Sequence, residues 1–164
     1  MEPERLFVMS DFFVKLIPEE PSYVLDGQTI SKIKGLSWCG DNVTIIVNET
    51  IQFADAGGNF ERVSCPFCKT DLLIGWWQDS MDEAYSIEDG FIDLDTVTPC
   101  CHKATSLHDL DYYFPQGFFT SMIEMEACYY QDVIQVPQER YTKEICRDLF
   151  EITGVEWRLL RVHI

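Results

Sequence analysis

Hydrophobic and polar positions along this 164-residue chain change period several times, and each change marks an element. Residues 11–17 (DFFVKLI) are dense in aromatic and aliphatic side chains and run into Pro18, with Pro21 beyond, which predicts a first strand ending in a turn. Residues 22–37 show little periodicity and contain Asp26-Gly27 and Gly35, leaving room for a short helix around 30–33. Residues 42–51 (NVTIIVNETI) are rich in β-branched side chains and continue through 52–55 toward Gly57-Gly58, which reads as one or two strands followed by a tight turn. After Cys68, Thr70 or Asp71 is placed to cap a helix whose apolar positions Leu73, Trp77, Met81 and Ala84 recur every three to four residues, with Gly75 as its weak point.

Residues 91–98 (FIDLDTVT) alternate apolar with polar and predict a half-buried strand that delivers the chain to Pro99-Cys100-Cys101. A short extended piece over 105–113 and a turn at Pro115-Gln116-Gly117 precede a long strand over 118–130, with Phe119, Ser121, Ile123, Met125, Ala127 and Tyr129 on one face. Pro137 is placed to open a final helix with Ile145, Leu149 and Ile152 as its buried stripe and Gly154 as its stop, before a closing strand over 155–164. Strands flanking one clear helix predict an α+β fold: a mostly antiparallel sheet with helices on one side. Residues 60–113 form a zinc-ribbon-like insert within a single domain spanning 1–164.

Composition supports that outline and narrows the function. With 46% apolar and 24% charged residues the chain is neither disordered nor a disulfide miniprotein. Twelve basic residues stand against 28 acidic ones, a formal charge of -16. Such a surface repels phosphate backbones and anionic headgroups, which argues against unaided binding to nucleic acid or membrane. The charge is uneven, because residues 71–111 carry ten acids and one base. That run is either a solvated face or a docking surface for a basic partner. No apolar run approaches membrane-spanning length and no secretory leader pattern opens the chain, so a cytosolic protein is expected. Met9 offers a second start, which makes residues 1–8 an optional extension.

Seven cysteines carry the clearest chemistry. An odd count in a chain of this size speaks against a disulfide framework. Cys65-Pro66-Phe67-Cys68 is a C-x2-C knuckle, and Cys100-Cys101-His102 follows after 31 residues. Two such pairs on separate arms can complete a tetrahedron around zinc. The second pair is adjacent, so two ligand sets are open: Cys65, Cys68, Cys100 and Cys101, or a set in which His102 replaces one adjacent thiol. Lys69 and Lys103, each just past a knuckle, are placed to compensate thiolate charge. A closed four-ligand site leaves no position for water or substrate, so the expected zinc is structural, pinning a subdomain that otherwise lacks a core. Buried free thiols and a redox C-x-x-C are the competing readings. Cys39, Cys128 and Cys146 stand alone and read as core thiols.

His108-Asp109-Leu110-Asp111 is a second candidate cluster, for a harder metal or for acid–base chemistry, although an extended backbone puts the histidine and the two acids on opposite faces. His163 reads as a strand surface residue. Phosphate-loop, nucleophile-elbow, H-E-x-x-H and dinucleotide motifs are absent from the sequence. Trp76-Trp77, Tyr112-Tyr113-Phe114 and Phe118-Phe119 cluster around the two knuckles as core filling or, where exposed, as interface anchors.

From Phe53 to Phe119, the segments F-x-D-A-G-G-N-F-E-R-V-S-C-P-F-C and T-P-C-C-H-K-A-T-S-L-H-D-L-D-Y-Y-F-P-Q-G-F-F resemble a group of uncharacterised bacterial zinc-ribbon-containing proteins. The resemblance implies that Cys65, Cys68, Cys100 and Cys101 are the ligands, because glycine often stands at the position of His102 in that pattern. It implies no activity. The functional expectation is a non-enzymatic, zinc-stabilised domain that binds another protein, concretely an acidic inhibitor or immunity-type protein for a basic partner. The alternatives are a metal-dependent enzyme using His102 or His108 with Asp109 or Asp111, and a nucleic-acid-binding ribbon using Arg140, Lys143, Arg147, Arg158 and Arg161 as one basic face.

Overall fold

The computed structural model describes the backbone of residues 12–58, 60–126, 128–130, 133–135 and 139–163, and the side chains of 14–58, 60–126 and 143–162. In chain order the elements are β1 (Phe12–Pro18), α1 (Gly27–Lys34), β2 (Val43–Ala54), β3 (Val63–Ser64), α2 (Ile74–Ala84), β4 (Tyr85–Ser86), β5 (Gly90–Phe91), β6 (Asp95–Val97), β7 (Ala104–Ser106), β8 (Asp111–Tyr112), β9 (Gly117–Glu126), β10 (Cys128–Tyr130), β11 (Val133–Gln135), α3 (Glu139–Thr153) and β12 (Trp157–His163). A 3-10 turn at Leu107–Asp109 separates β7 from β8. A six-stranded sheet in the order β12-β1-β9-β2-β5-β4 is accompanied by three two-stranded ribbons, and the pairings are antiparallel. The fold is α+β, as the alternation of patterns predicts.

Helices α1 and α3 bury Ile33, Ile145 and Leu149 against Val14 and Leu16 of β1, Ile123 and Met125 of β9, and Trp157. The stripe expected on the last helix is therefore present, with Ile152 at its margin. Gly154 takes φ +76 and donates its N–H to Phe150 O at 2.8 Å, which ends α3 as a glycine in the left-handed region does. The first helix is longer than its sparse pattern suggests, because Asp26 is an N-cap rather than a turn residue: its side chain accepts from the Thr29 N–H at 2.7 Å. Pro137 and the side chain of Cys128 lie outside the described residues, as do residues 1–8 and the side chain of His163.

Simple alternation along 118–130 fails in the middle of β9. Ile123 and Met125 join the helix-covered cluster, Phe119 and Met122 join a second cluster with Ile17 and Leu160, and Phe118 enters a third. The break falls at Thr120 and Ser121, whose hydroxyls donate to Pro21 O at 2.8 Å and Tyr23 O at 3.0 Å. Opposite them, β2 shifts register between Val47, which faces Ser121, and Gln52, which faces Phe119. A bulge of this kind re-aims the strand. Its first half sends Val43 and Ile45 to the helix-covered cluster, and its second half sends Ile51 and Phe53 to the cluster beneath the cysteine knuckles.

The segment 60–113 holds a core of its own, contrary to the expectation of a coreless lobe. Val63, Cys65, Leu72, Trp77, Met81, Leu94, Leu107, Leu110 and Tyr112 are buried together with Phe91 and Phe118. Trp77 Nε1 donates to Tyr112 Oη at 3.1 Å, and the Tyr112 hydroxyl donates to Leu107 O at 2.8 Å, so two polar tips are satisfied inside the aromatic packing. Helix α2 begins at Ile74 with Leu73 in the cap position and no side-chain cap. Leu73 is 78% exposed, so the expected stripe starts at Trp77, and Thr70 and Asp71 are used elsewhere.

A partly exposed polar contact joins this lobe to the sheet. Arg158 of β12 donates through Nε and Nη2 to both oxygens of Glu19 at 2.9 and 2.6 Å, and through Nη1 to His108 O and Gln116 O at 2.9 and 2.6 Å. His108 is 1% exposed, and its Nδ1 accepts from the Phe118 N–H at 2.9 Å. Gly117 leaves the space this requires, since a Cβ there would lie 2.7 Å from His108 Cε1 and 2.9 Å from Arg158 Nη1. Gly117→Ala is expected to destabilise the fold by about 1–3 kcal/mol in denaturant melts, because the ring and the guanidinium are both held; an unchanged midpoint would refute this packing.

Burial raises the Glu19 carboxyl, but the His108 ring, with Nε2 3.7 Å from Oε2, and the Arg158 guanidinium, hydrogen-bonded to both oxygens, outweigh it and hold the group down to about 2, against an ordinary 4.5. A depressed folded value stabilises the protein above the unfolded value and loses that contribution as pH falls from about 4.5 toward 2. Because Glu19 is 44% exposed, the contribution after solvent screening is on the order of 1–2 kcal/mol. Stability curves of the parent chain and of Glu19→Gln are expected to converge over that acid window, and parallel curves would contradict it.

Candidate metal centre

Strand β3 pairs with β8, Val63 opposite Tyr112 and Ser64 opposite Asp111, and so fixes the direction in which the chain enters the first knuckle. The chain reverses within six residues: the Cys65 N–H donates to Thr70 O at 2.9 Å and the Lys69 N–H donates to Cys65 O at 3.0 Å. Lys69 sits at φ +64, a left-handed conformation that costs a residue with a Cβ about 1–2 kcal/mol. Within the turn the Phe67 N–H donates to Cys65 Sγ at 3.4 Å.

The second knuckle repeats this construction. Between β6 and β7, the Thr98 N–H donates to Lys103 O at 3.0 Å, the His102 N–H donates to Thr98 O at 2.9 Å, and His102 sits at φ +54. Thr98 therefore stands where the first knuckle has Cys65, and both are 0% exposed. Cys101 matches Cys68, and His102 matches Lys69. The adjacency of Cys100 and Cys101 follows: Cys101 occupies the second ligand position of the turn, while Cys100 projects from its tip, where the first knuckle carries Phe67. Thr98 replaces a ligand by a fastener, its Oγ1 accepting from the Lys103 N–H at 3.2 Å. A sequence signal for this repeat exists in the shared x-P-x-C of Cys65-Pro66-Phe67-Cys68 and Thr98-Pro99-Cys100-Cys101, but counting cysteines alone conceals it.

The four sulfur atoms lie within 4.8 Å of one another, and Cys68 Sγ is 3.5 Å from Cys100 Sγ. A tetrahedral ion with metal–sulfur bonds of about 2.3 Å needs sulfur–sulfur edges of about 3.8 Å, so the cluster is already close to the required size. The separation is far from the roughly 2.05 Å of a disulfide, and all four cysteines are free. These thiols form a site able to hold one metal ion, and they are the only such group of convergent donors among the described residues. His102 is exposed and outside the group; its left-handed backbone is the conformation glycine adopts most readily.

Charge compensation comes chiefly from the backbone and from Thr70. Burial raises the Cys65 thiol, yet the N–H groups of Cys68 and Phe67 and the Cys100 side chain leave it below its ordinary value. The Thr70 hydroxyl and N–H, with Cys101, lower Cys68 to about 6. Cys100 is raised by burial and then by Cys65 and Cys68, while Cys101 is pushed up to about 12 by Cys68 first, then by burial, Cys100 and Cys65. The first knuckle thus lowers its thiols and the second raises its own, and thiol protons left in the cluster have to be displaced by an incoming cation. The two flanking lysines are engaged elsewhere: Lys69 Nζ pairs with Asp111 Oδ2 at 3.2 Å, and Lys103 Nζ lies 5.1 Å from the centre of the Phe67 ring.

The other sequence candidates are dispersed. His108 is buried with Nε2 3.7 Å from Glu19 Oε2, Asp111 is paired with Lys69, and Asp109 is exposed beside β6 and β7. Cys39 and Cys146 are partly buried at the margin of the helix-covered core. No helix among the described residues is long and apolar enough to cross a membrane. Comparison of the chain with models of protein families, with curated proteins and with solved structures finds no match in any of the three.

Metal removal is expected to expose the amides of residues 65–70 and 98–103 to hydrogen exchange while those of β9 keep their protection, since the lobe has its own core. Equal protection of both knuckles with and without metal would refute the site. Replacing Cys101 by serine is expected to abolish stoichiometric metal retention after dialysis, whereas Cys39→Ser retains it; identical retention by the two variants would contradict the ligand assignment. Because binding displaces thiol protons, metal retention is expected to weaken steadily as pH falls below neutrality.

Proposed function

We propose that this chain is a non-enzymatic, zinc-stabilised domain that binds a basic protein partner. Zinc is the ion best suited to four thiolates in a small tetrahedral site, being borderline-soft and without redox chemistry. With four protein ligands the ion keeps no open position for water or substrate, so its role is to hold the two knuckles together. Thiolate ligation requires reduced cysteines, which suits the cytosol.

The observation that carries the partner reading is a coincidence of two surface properties. Among the described residues eleven large apolar side chains are exposed, and seven of them (Leu73, Ile74, Tyr85, Ile87, Ile92, Val97 and Tyr113) lie between 73 and 113. Ten of the chain's 28 acids lie between 71 and 111. Apolar anchors surrounded by charge are the anatomy of a protein interface, with carboxylates steering a basic partner and the anchors supplying contact area. An inhibitor of a cationic, phosphate-binding enzyme is the concrete form of this proposal.

Immobilised chain is expected to retain a basic protein from host extract at low ionic strength and to lose most of it at about 0.5 M salt, as screening predicts. Ile87→Asp, at a side chain 92% exposed, is expected to weaken retention without lowering stability. Retention of nothing, or retention indifferent to both salt and Ile87→Asp, would contradict the proposal.

A further inference from the structure

The two knuckles are built alike, yet their cysteines are not placed alike. In the first, the base of the turn carries Cys65, which is 0% exposed, and the tip carries Phe67. In the second, the base carries Thr98, also 0% exposed, and the thiol stands at the tip as Cys100. A faithful repeat of the first knuckle would have buried the fourth sulfur at position 98. Moving it to the tip brings it out to solvent, so that Cys68 and Cys100 are exposed while Cys65 is buried and Cys101 is half-buried. The two exposed cysteines come from different knuckles, and their sulfur atoms lie 3.5 Å apart. Closing that gap to the roughly 2.05 Å of a disulfide takes about 1.5 Å of side-chain movement. Joining the adjacent Cys100 and Cys101 instead would close a small, strained ring.

We propose that Cys68 and Cys100 form an oxidation-sensitive pair through which a hydroperoxide expels the zinc ion. The proposal rests on the zinc reading above and adds a regulation to that site. Susceptibility of a cysteine to oxidation follows its thiolate character and its exposure. Zinc ligation supplies the thiolate, and the placement of Cys100 at the tip supplies the exposure. The Cys100 thiolate attacks the peroxide, forming a sulfur–oxygen bond as the oxygen–oxygen bond breaks and hydroxide leaves. The Cys68 thiolate then displaces a second hydroxide from the sulfenic acid and forms the disulfide. Two thiolates thus lose two electrons, and one peroxide with two solvent protons becomes two waters. The ion keeps only Cys65 and Cys101 of its four ligands and departs, and those two sulfurs take up protons from solvent. The knuckles stay joined by a sulfur–sulfur bond at their tips, and a thiol reductant restores the site.

The test treats the zinc-loaded chain with hydrogen peroxide beside a chromogenic zinc chelator. Thiols are alkylated with one reagent before reduction and another after it, and fragment-ion mass spectrometry locates each label. Expected are one zinc released per chain in step with one disulfide, the second label on Cys68 and Cys100, and reloading after dithiothreitol and zinc. The Thr98→Cys/Cys100→Ser variant, which moves the fourth thiol to the buried position, is expected to load zinc and to release it about tenfold more slowly under peroxide. Mapping on the parent chain decides the pair if the variant does not load. A disulfide at any other pair, zinc release without a disulfide, or equal release from parent and variant would overturn the proposal. A zinc-loaded chain that keeps its metal under peroxide would overturn the switch and leave the zinc reading intact, whereas a chain that holds no zinc would overturn both.

Discussion

Four sulfur atoms can share one ion only if two separate turns deliver them to one point, and much of the lobe between residues 60 and 113 answers that constraint. Each turn is closed by the same pair of backbone hydrogen bonds, and each places a residue with a Cβ in the left-handed region, Lys69 in one and His102 in the other. A cost of about 1–2 kcal/mol at each is borne because the turn cannot close otherwise. Strand β8 and the 3-10 turn then carry the chain back to the sheet, where Arg158 and Glu19 clamp it from the far side.

The lobe has an apolar interior of its own, in which Trp77, Tyr112, Phe91 and Phe118 pack with their neighbours. An ion at the four thiols would act on a smaller unit, the pair of turns and the ribbon that grows from the second. That division of labour separates global stability, which resides in the three hydrophobic clusters and the sheet, from the local order of a surface rich in carboxylates and exposed aliphatic side chains. Coupling this surface to a turn that a metal ion can hold would let the surface be ordered without rigidifying the whole domain.

Much of the outline was legible in the residues. The knuckle cysteines, the stripe of α3 with its glycine stop, the first and last strands and the mostly antiparallel sheet all follow from period, breakers and spacing. What escaped was set by tertiary context. Alternation along 118–130 is interrupted where Thr120 and Ser121 bind the backbone at Pro21 and Tyr23, residues almost a hundred positions away. Thr70 looked like a helix cap, yet its hydroxyl and N–H act on Cys68. His102 looked like a possible ligand because histidine ligates metals, whereas its backbone closes a turn. The likeness of T-P-C-C to C-P-F-C was visible in the letters, but its meaning depends on hydrogen bonds that only the folded chain displays.

The central claim is that one zinc ion is bound by Cys65, Cys68, Cys100 and Cys101 alone. X-ray absorption spectroscopy of the purified chain, at the zinc edge and with the metal content determined on the same sample, tests it most directly. The account predicts one zinc per chain in a shell of four sulfur atoms at about 2.3 Å. A shell with nitrogen or oxygen replacing a sulfur, or a chain that retains no zinc under reducing conditions, would contradict it.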